Sequence, residues 1–140
     1  MRVGVTGTRH GFTKDQEASF TEEVKGFTHF LHGSCGGVDV EAARIVRKMM
    51  GKKVHIICLP GPDGDSWREI SGVDDEIRAG KTHFARNRDI VNECDLLIGC
   101  PYDAEEMSHG GTWYTINYAR KKGKKLIIIW PNGDITRSVE

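Results

Sequence analysis

Apolar residues fall along this chain in short continuous runs, separated by longer segments in which they recur every three or four positions. The first pattern is that of buried strands and the second that of amphipathic helices. Arg2–Gly7 (RVGVTG) reads as a strand ending in a turn. Residues 13–27 read as a helix. Thr13 is its N-cap, Gln16 completes a capping box, and Phe20, Val24 and Phe27 follow at helical spacing. Residues 28–32 form a second strand. A glycine-rich loop, 33–37, leads into the helix Val38–Met50, whose stripe is Val38, Ala42, Ile45, Val46 and Met49. Residues 54–59 (VHIICL) are a strand apolar on both faces, as in a parallel sheet. Residues 60–80 are polar and glycine-rich, and such length predicts a functional loop or a short helix within it. A helix over 82–94, a strand over 95–99, a loop over 100–109, a helix from Gly110 or Gly111 to Lys122 and a strand over 126–130 complete the alternation. Residues 132–140 read as a tail or brief cap.

Strands alternating with helices predict a Rossmann-like three-layer α/β/α fold: a mainly parallel sheet of about five strands with helices on both faces. An internal echo supports two similar halves. GKKVHIICLP at 51–60 resembles GKKLIIIWP at 123–131, and a glycine pair precedes each, Gly36-Gly37 and Gly110-Gly111. Two αβ halves of this kind meet at a crevice, where open α/β sheets hold ligands. The lysine pairs at 52–53 and 121–122 sit where helix C-termini attract cations.

With 140 residues the chain has the length of one domain, expected over 1–140. Twenty Lys and Arg balance twenty Asp and Glu, so the net charge is zero. That argues against bulk duplex binding, which needs a basic face. No apolar run is long enough for a membrane span, and MRVGVTGTRHG is not a secretory leader. A cytoplasmic protein with reduced cysteines is expected. Cys35, Cys58, Cys94 and Cys100 form no CxxC pair; Cys58 and Cys94 read as core residues, while Cys35 or Cys100 could face a pocket. The histidines show no ligand spacing, so neither a metal nor a cofactor is expected.

Four segments carry chemistry. In 6–11 (TGTRHG), Gly7 permits a tight turn, and Thr8 and Arg9 can meet a phosphate or a base edge, although the spacing is not that of the dinucleotide fingerprint. In 33–39 (GSCGGVD), Ser34, Gly36 and Gly37 let a ligand approach the backbone at a helix start. Asp39 suits either a ribose hydroxyl or the helix dipole. In 84–89 (FARNRD), Arg86 and Asn87 are directed toward a ligand; Arg88, two residues on, must point elsewhere. In 108–112 (SHGGT), Gly110, Gly111 and Thr112 form a phosphate cradle.

The order and spacing of TGTR, GSCGGVD, ARNRDIV before DLLIG, and GGT resemble the SLOG superfamily, near its YpsA-related branch. That superfamily includes the LOG-type phosphoribohydrolases and the DNA-processing protein of natural transformation. The resemblance implies a nucleotide-type ligand at the sheet edge, held by Gly7, Arg9, Gly36, Gly37, Arg86, Asn87, Gly111 and Thr112, and a protein that is often a homo-oligomer, through residues such as Trp67 or Tyr102. The phosphoribohydrolases share a PGGxGTxxE signature, and Thr115 stands here where its glutamate belongs. A threonine hydroxyl cannot stabilise an oxocarbenium-like state or activate water at neutral pH. Asp103, Glu105 and Glu106 in the preceding loop are the candidate substitutes, with Glu105 and Glu106 preferred. The reading is therefore a binder of a small nucleotide or ADP-ribose-type ligand, a sensor or sequestering protein. The alternatives are a nucleoside-monophosphate phosphoribohydrolase and a single-stranded DNA binder.

Overall fold

The computed structural model describes residues 1–62 and 71–138; Trp67 and part of the 60–80 loop lie outside the described residues. Strands β1 (Arg2–Gly7), β2 (His29–His32), β3 (His55–Cys58), β4 (Glu76–Ile77), β5 (Leu96–Cys100), β6 (Lys125–Ile129) and β7 (Ile135–Arg137) form one sheet in the order β4-β3-β2-β1-β5-β6-β7. All neighbours are parallel except β7, which runs antiparallel to β6. The helices are α1 (Lys14–Glu23), α2 (Val38–Met50), α3 (His83–Glu93) and α4 (Gly111–Lys121). The expected Rossmann-like α/β fold is the one observed.

Alternation along the strands divides the core between two faces. Val3, Val5, Phe30, Ile56, Ile98 and Ile127 pack with Phe20 of α1 and Val38, Ala42 and Val46 of α2. Leu31, Ile57, Leu97, Leu126 and Ile128 pack with Ile90 and Val91 of α3 and Trp113, Ile116 and Ala119 of α4. Burying both faces is what requires strands with no polar side.

Three expectations need correction. The sheet has seven strands, because two short edge strands add to the five apolar ones. β4 is placed by Asp75: Ile56 N–H donates to its carboxylate at 2.9 Å, and Asp75 N–H donates to Ile56 O at 2.8 Å. β7 replaces the expected tail. Asp134 N–H donates to Asn132 Oδ1 at 2.9 Å and Trp130 N–H to Asp134 O at 2.8 Å, which turns the chain back along β6. α1 stops at Glu23, so Phe27 reaches the core from an extended segment; and Met49, expected in the apolar stripe of α2, is 50% exposed.

At the N-terminus of α1, Thr13 accepts from Gln16 N–H at 3.0 Å while Gln16 caps Thr13 N–H, the expected capping box. The buried Gln16 amide also donates to Pro101 O at 3.0 Å and Ile129 O at 2.8 Å, docking α1 on the ends of β5 and β6.

Strand order reverses at β1, with β2 on one side and β5 on the other. Diverging loops open a crevice at such a point. Gly7 closes β1 there, and a methyl group on it would lie 2.5 Å from Val38 Cγ1 and 3.0 Å from Cys100 O. Gly7→Ala is expected to cost about 1–3 kcal/mol in chemical denaturation, as overpacking does, with Val38→Ala in the same chain recovering part of it.

Candidate functional site

A hollow of about 490 Å³ lies over the C-terminal ends of β1 and β5. The ends of β1 and α3 supply Thr6, Gly7, Arg86 and Asn87; the loop after β1 supplies Thr8, Arg9 and His10; the loop after β5 supplies Tyr102 and Asp103; Gly110, Gly111 and Thr112 close the far wall. The crevice expected from the internal echo is therefore the one lined by the first, third and fourth motifs.

The far wall is the start of α4. Gly110 precedes it with φ of +102°, a conformation that favours glycine, and no side chain caps the helix. The N–H groups of Gly111, Thr112 and Trp113 have no protein acceptor among the described residues. These orphan donors carry the positive end of the helix dipole. Facing the same hollow, the Thr6 side chain is buried, with 8% of the residue exposed, and its hydroxyl has no hydrogen-bond partner among the described residues. Asn87 Oδ1 accepts from Arg86 Nε–H at 2.6 Å, which orients its amide NH₂ group, also without an acceptor among the described residues. At the rim the His10 and Tyr102 rings lie against each other, tilted by 35° with centroids 4.3 Å apart, and Tyr102 is 63% exposed.

The second motif behaves differently. Ser34, Gly36 and Gly37 do not line the hollow; Cys35 and Asp39 do. The start of α2 is covered by the first loop: Val38 N–H donates to Thr8 O at 3.0 Å, and a methyl on Gly37 would lie 2.4 Å from that oxygen. Gly37 is glycine to admit the protein's own backbone, at φ +56°. Ser34 holds a left-handed φ of +53°, stabilised by donation of its N–H to His32 Nδ1 at 3.1 Å. Asp39 is buried at 5% exposure and accepts from the N–H groups of Gly33, at 3.0 Å, and Cys35. Burial raises its carboxyl above the usual range, opposed by the Arg86 guanidinium and by those two N–H bonds. It braces the loop from below.

Arg86, expected as a phosphate clamp, is 3% exposed and already engaged. Nη1 donates to Gly33 O at 2.8 Å and Leu59 O at 3.3 Å, Nη2 to Cys35 Sγ at 2.9 Å, and Nη2 lies 3.3 Å from His83 Nδ1. It ties the ends of β2 and β3 to α3. Arg88 points away, as its spacing requires, and donates to Tyr114 OH at 2.9 Å.

Of the candidate acids, Asp103 reaches the hollow and Glu105 and Glu106 do not. Glu106 is paired with Arg120, and neither it nor Glu105 lines the cavity. Thr115 is fully buried and its hydroxyl donates to Gly111 O at 2.8 Å. Asp103 does line the hollow and accepts from Trp113 Nε1 at 3.3 Å, a contact that composition and motif did not reveal. The Cys35 thiol also faces it, pushed up to about 11 by burial and by the nearby Asp39 charge.

Outside the hollow, His32, Cys58 and Asp74 converge at the ends of β2 and β3, their ligand-type atoms within 4.8 Å of one another. Spacings of 26 and 16 residues hide such a group from sequence reading. His32 Nδ1 accepts from Ser34 N–H, so Nε2 carries the proton and donates to Asp74 Oδ1 at 2.5 Å. Asp74 accepts from Ser71 Oγ at 2.9 Å. A metal on Nε2 would force a proton onto Nδ1, against the Ser34 N–H. The bonds make this a proton-linked tie between β2 and the segment before β4.

No helix among the described residues is long and apolar enough to cross a membrane. No protein-family model matches the sequence, and no curated protein matches it. Among solved structures, the molybdenum cofactor binding protein from the phototrophic bacterium Rippkaea orientalis superposes with a TM-score of 0.67 at 23% identity, covering 92% of this chain and 76% of its own. The structural-genomics protein TM1055 superposes with a TM-score of 0.59 at 14% identity, covering 89% of this chain and 71% of its own. The likeness is one of fold.

Two outcomes follow from these bonds. Arg86→Ala leaves buried acceptors and Asp39 without their cation, and is expected to lower unfolding free energy by about 3–5 kcal/mol. Lysine at 86 will not restore it, because one ammonium cannot span the same acceptors; both are read by urea titration. For Cys35, the thiolate is the reactive form, and a raised pKa keeps it scarce at neutral pH. The rate of iodoacetamide labelling at Cys35, followed by mass spectrometry, should climb about tenfold per pH unit through the region near 8.5 where an ordinary thiol levels off.

Proposed function

We propose that this chain binds a small nucleotide or ADP-ribose-type ligand in the hollow beside β1 and holds it without turnover, as a sensor or sequestering protein. One observation carries the reading: the unused donors of this crevice, the α4 N–H groups, the Thr6 hydroxyl and the Asn87 amide, face one volume. The Thr6 hydroxyl is buried and Asn87 half-buried, and donors so placed without acceptors are unfavourable in a free protein; an anion offering several oxygens satisfies them together with the more open α4 N–H groups. The exposed Tyr102 ring on His10 supplies a platform for a heterocycle at the rim. A volume of about 490 Å³ suits a nucleotide-sized guest. The Rippkaea orientalis neighbour is named for binding molybdenum cofactor, a small molecule, and this agrees with a small-molecule guest in the same fold.

The acids favour binding without hydrolysis. An N-glycosidic cleavage needs a free carboxylate at the sugar; Glu105 and Glu106 stand outside the hollow, and the two carboxylates that line it are engaged, Asp103 by the Trp113 indole and Asp39 by Gly33 N–H. Binding of single-stranded DNA is disfavoured by the zero net charge.

Gly111 offers the sharpest test. It needs no special backbone angle, and a methyl on it would meet nothing of the protein within 4 Å. Gly111→Ala should leave stability unchanged or raise it by a few tenths of a kcal/mol, about what helix propensity gives, while blocking approach to the α4 N–H groups. Thr6→Val should keep the fold and weaken binding by about 1 kcal/mol. Thermal shifts with a nucleotide panel read both, since ligand at about 100 times Kd adds roughly 2.7 kcal/mol. Full shifts in Gly111→Ala would remove the α4 start from the site.

A further inference from the structure

A second hollow, of about 680 Å³, lies on the other side of the α4 start. It shares Phe84 and residues 109–111 with the first, and its remaining wall includes Tyr114, Asn117, Tyr118 and Lys121. His109, Gly110 and Gly111 thus border both volumes, and the two glycines present no side chains at that border. A methyl on either would meet nothing within 4 Å, so a guest can cross it.

The walls of the second hollow are aromatic and fixed. Phe84 is 55% exposed although its ring lies 4.4 Å from that of Tyr114. Tyr114 OH accepts from Arg88 Nη1 at 2.9 Å, and Tyr118 OH donates to Asn92 Oδ1 at 3.1 Å. Bonds at the hydroxyls therefore hold both tyrosines in place along the groove. Lys121 is the cation of this wall and makes no ion pair among the described residues. An apolar groove with rigid rings and one unpaired ammonium complements a planar heterocycle joined to an anionic linker.

We propose that the ligand is two-ended, a pyrophosphate-linked dinucleotide: one nucleoside lies in the hollow beside β1, the phosphates cross the Gly110–Gly111 border, and the second nucleoside lies between Phe84 and Tyr118 with Lys121 beside the linker. The proposal rests on the nucleotide reading above and narrows it. A mononucleotide fills the first hollow alone. ADP-ribose places only a bare sugar against the aromatic wall. The buried, unpartnered Thr6 hydroxyl marks the first hollow as a ligand site independently of the helix start.

Isothermal titration calorimetry on the full chain separates the two readings. The probes are adenosine and guanosine monophosphates, ADP-ribose, and diadenosine and diguanosine diphosphates. The dinucleotide matching the better mononucleotide should bind at least about tenfold tighter than it, with ADP-ribose between. Lys121→Ala and Asn117→Ala, both at exposed positions lining only the second hollow, should remove most of that advantage and leave mononucleotide affinity within about twofold. Mononucleotide binding with no dinucleotide advantage overturns the two-ended ligand and leaves the nucleotide reading standing. Absence of binding by every probe overturns both. A dinucleotide advantage untouched in Lys121→Ala, with a smaller sedimentation mass in that variant, shows that a second copy covers the groove and also overturns the proposal.

Discussion

A buried guanidinium decides the shape of this crevice. Arg86 carries a permanent charge to 3% exposure, which is tolerable only because carbonyls from the ends of two strands, an amide oxygen and a thiol take up its donors, with Asp39 close by. These partners come from three stretches of chain. The 33–35 loop, the end of β3 and the first turn of α3 are therefore held in one arrangement, and the floor of the hollow is closed by protein groups that satisfy one another. Donors remain unused on the opposite wall, among the described residues of the hollow.

That contrast breaks the symmetry of the two halves. The echo between 51–60 and 123–131 is real in the fold: β3 and β6 lie at equal distances from β1, and α2 and α4 precede them behind glycine pairs. The central strand can serve only one of the two helix starts. Its following loop bends toward α2, and Thr8 O takes the Val38 N–H that a ligand would otherwise have received. The same bend leaves α4 open. Gly37 and Gly110 look equivalent in the sequence and have opposite duties, one admitting backbone and the other leaving room.

Much of this was legible beforehand, and the exceptions have physical reasons. Strands β1, β3, β5 and β6 declare themselves by apolar runs, and α2 by its periodicity. Thr13 with Gln16 gave the start of α1 because capping is local chemistry. β4 and β7 were invisible: edge strands of two and three residues need no apolar run, and polar bonds at Asp75 and Asn132 place them. Of the residues expected at the site, Gly7, Asn87, Gly110, Gly111 and Thr112 line one hollow, whereas Ser34, Gly36 and Gly37 do not, and the burial of Arg86 was not readable. An arginine beside an asparagine looks alike whether it meets a phosphate or its own carbonyls, and only the strand ends above it decide. The His32, Cys58 and Asp74 group was hidden for a related reason, since parallel topology joins residues that no local window contains.

The contrast between satisfied and unsatisfied groups is itself the argument for binding. A protein that leaves donors unused at random would scatter them through loops, where water meets them at little cost. Here the network under the floor is bonded even at a buried arginine, a buried aspartate and a left-handed serine, each unfavourable unless fully partnered. The unused groups stand directly above that network, on the start of α4 and the end of β1. Rigid support beneath and open donors above is the arrangement that holds an anion without reorganising, because the ordering has been accomplished during folding. The carboxylates that line the hollow are engaged by the protein itself: Asp39 accepts from Gly33 N–H within the brace, and Asp103 accepts from the Trp113 indole. What the opposite wall presents is donors, aromatic rings and a helix end, and it is on that set that the proposed reading rests.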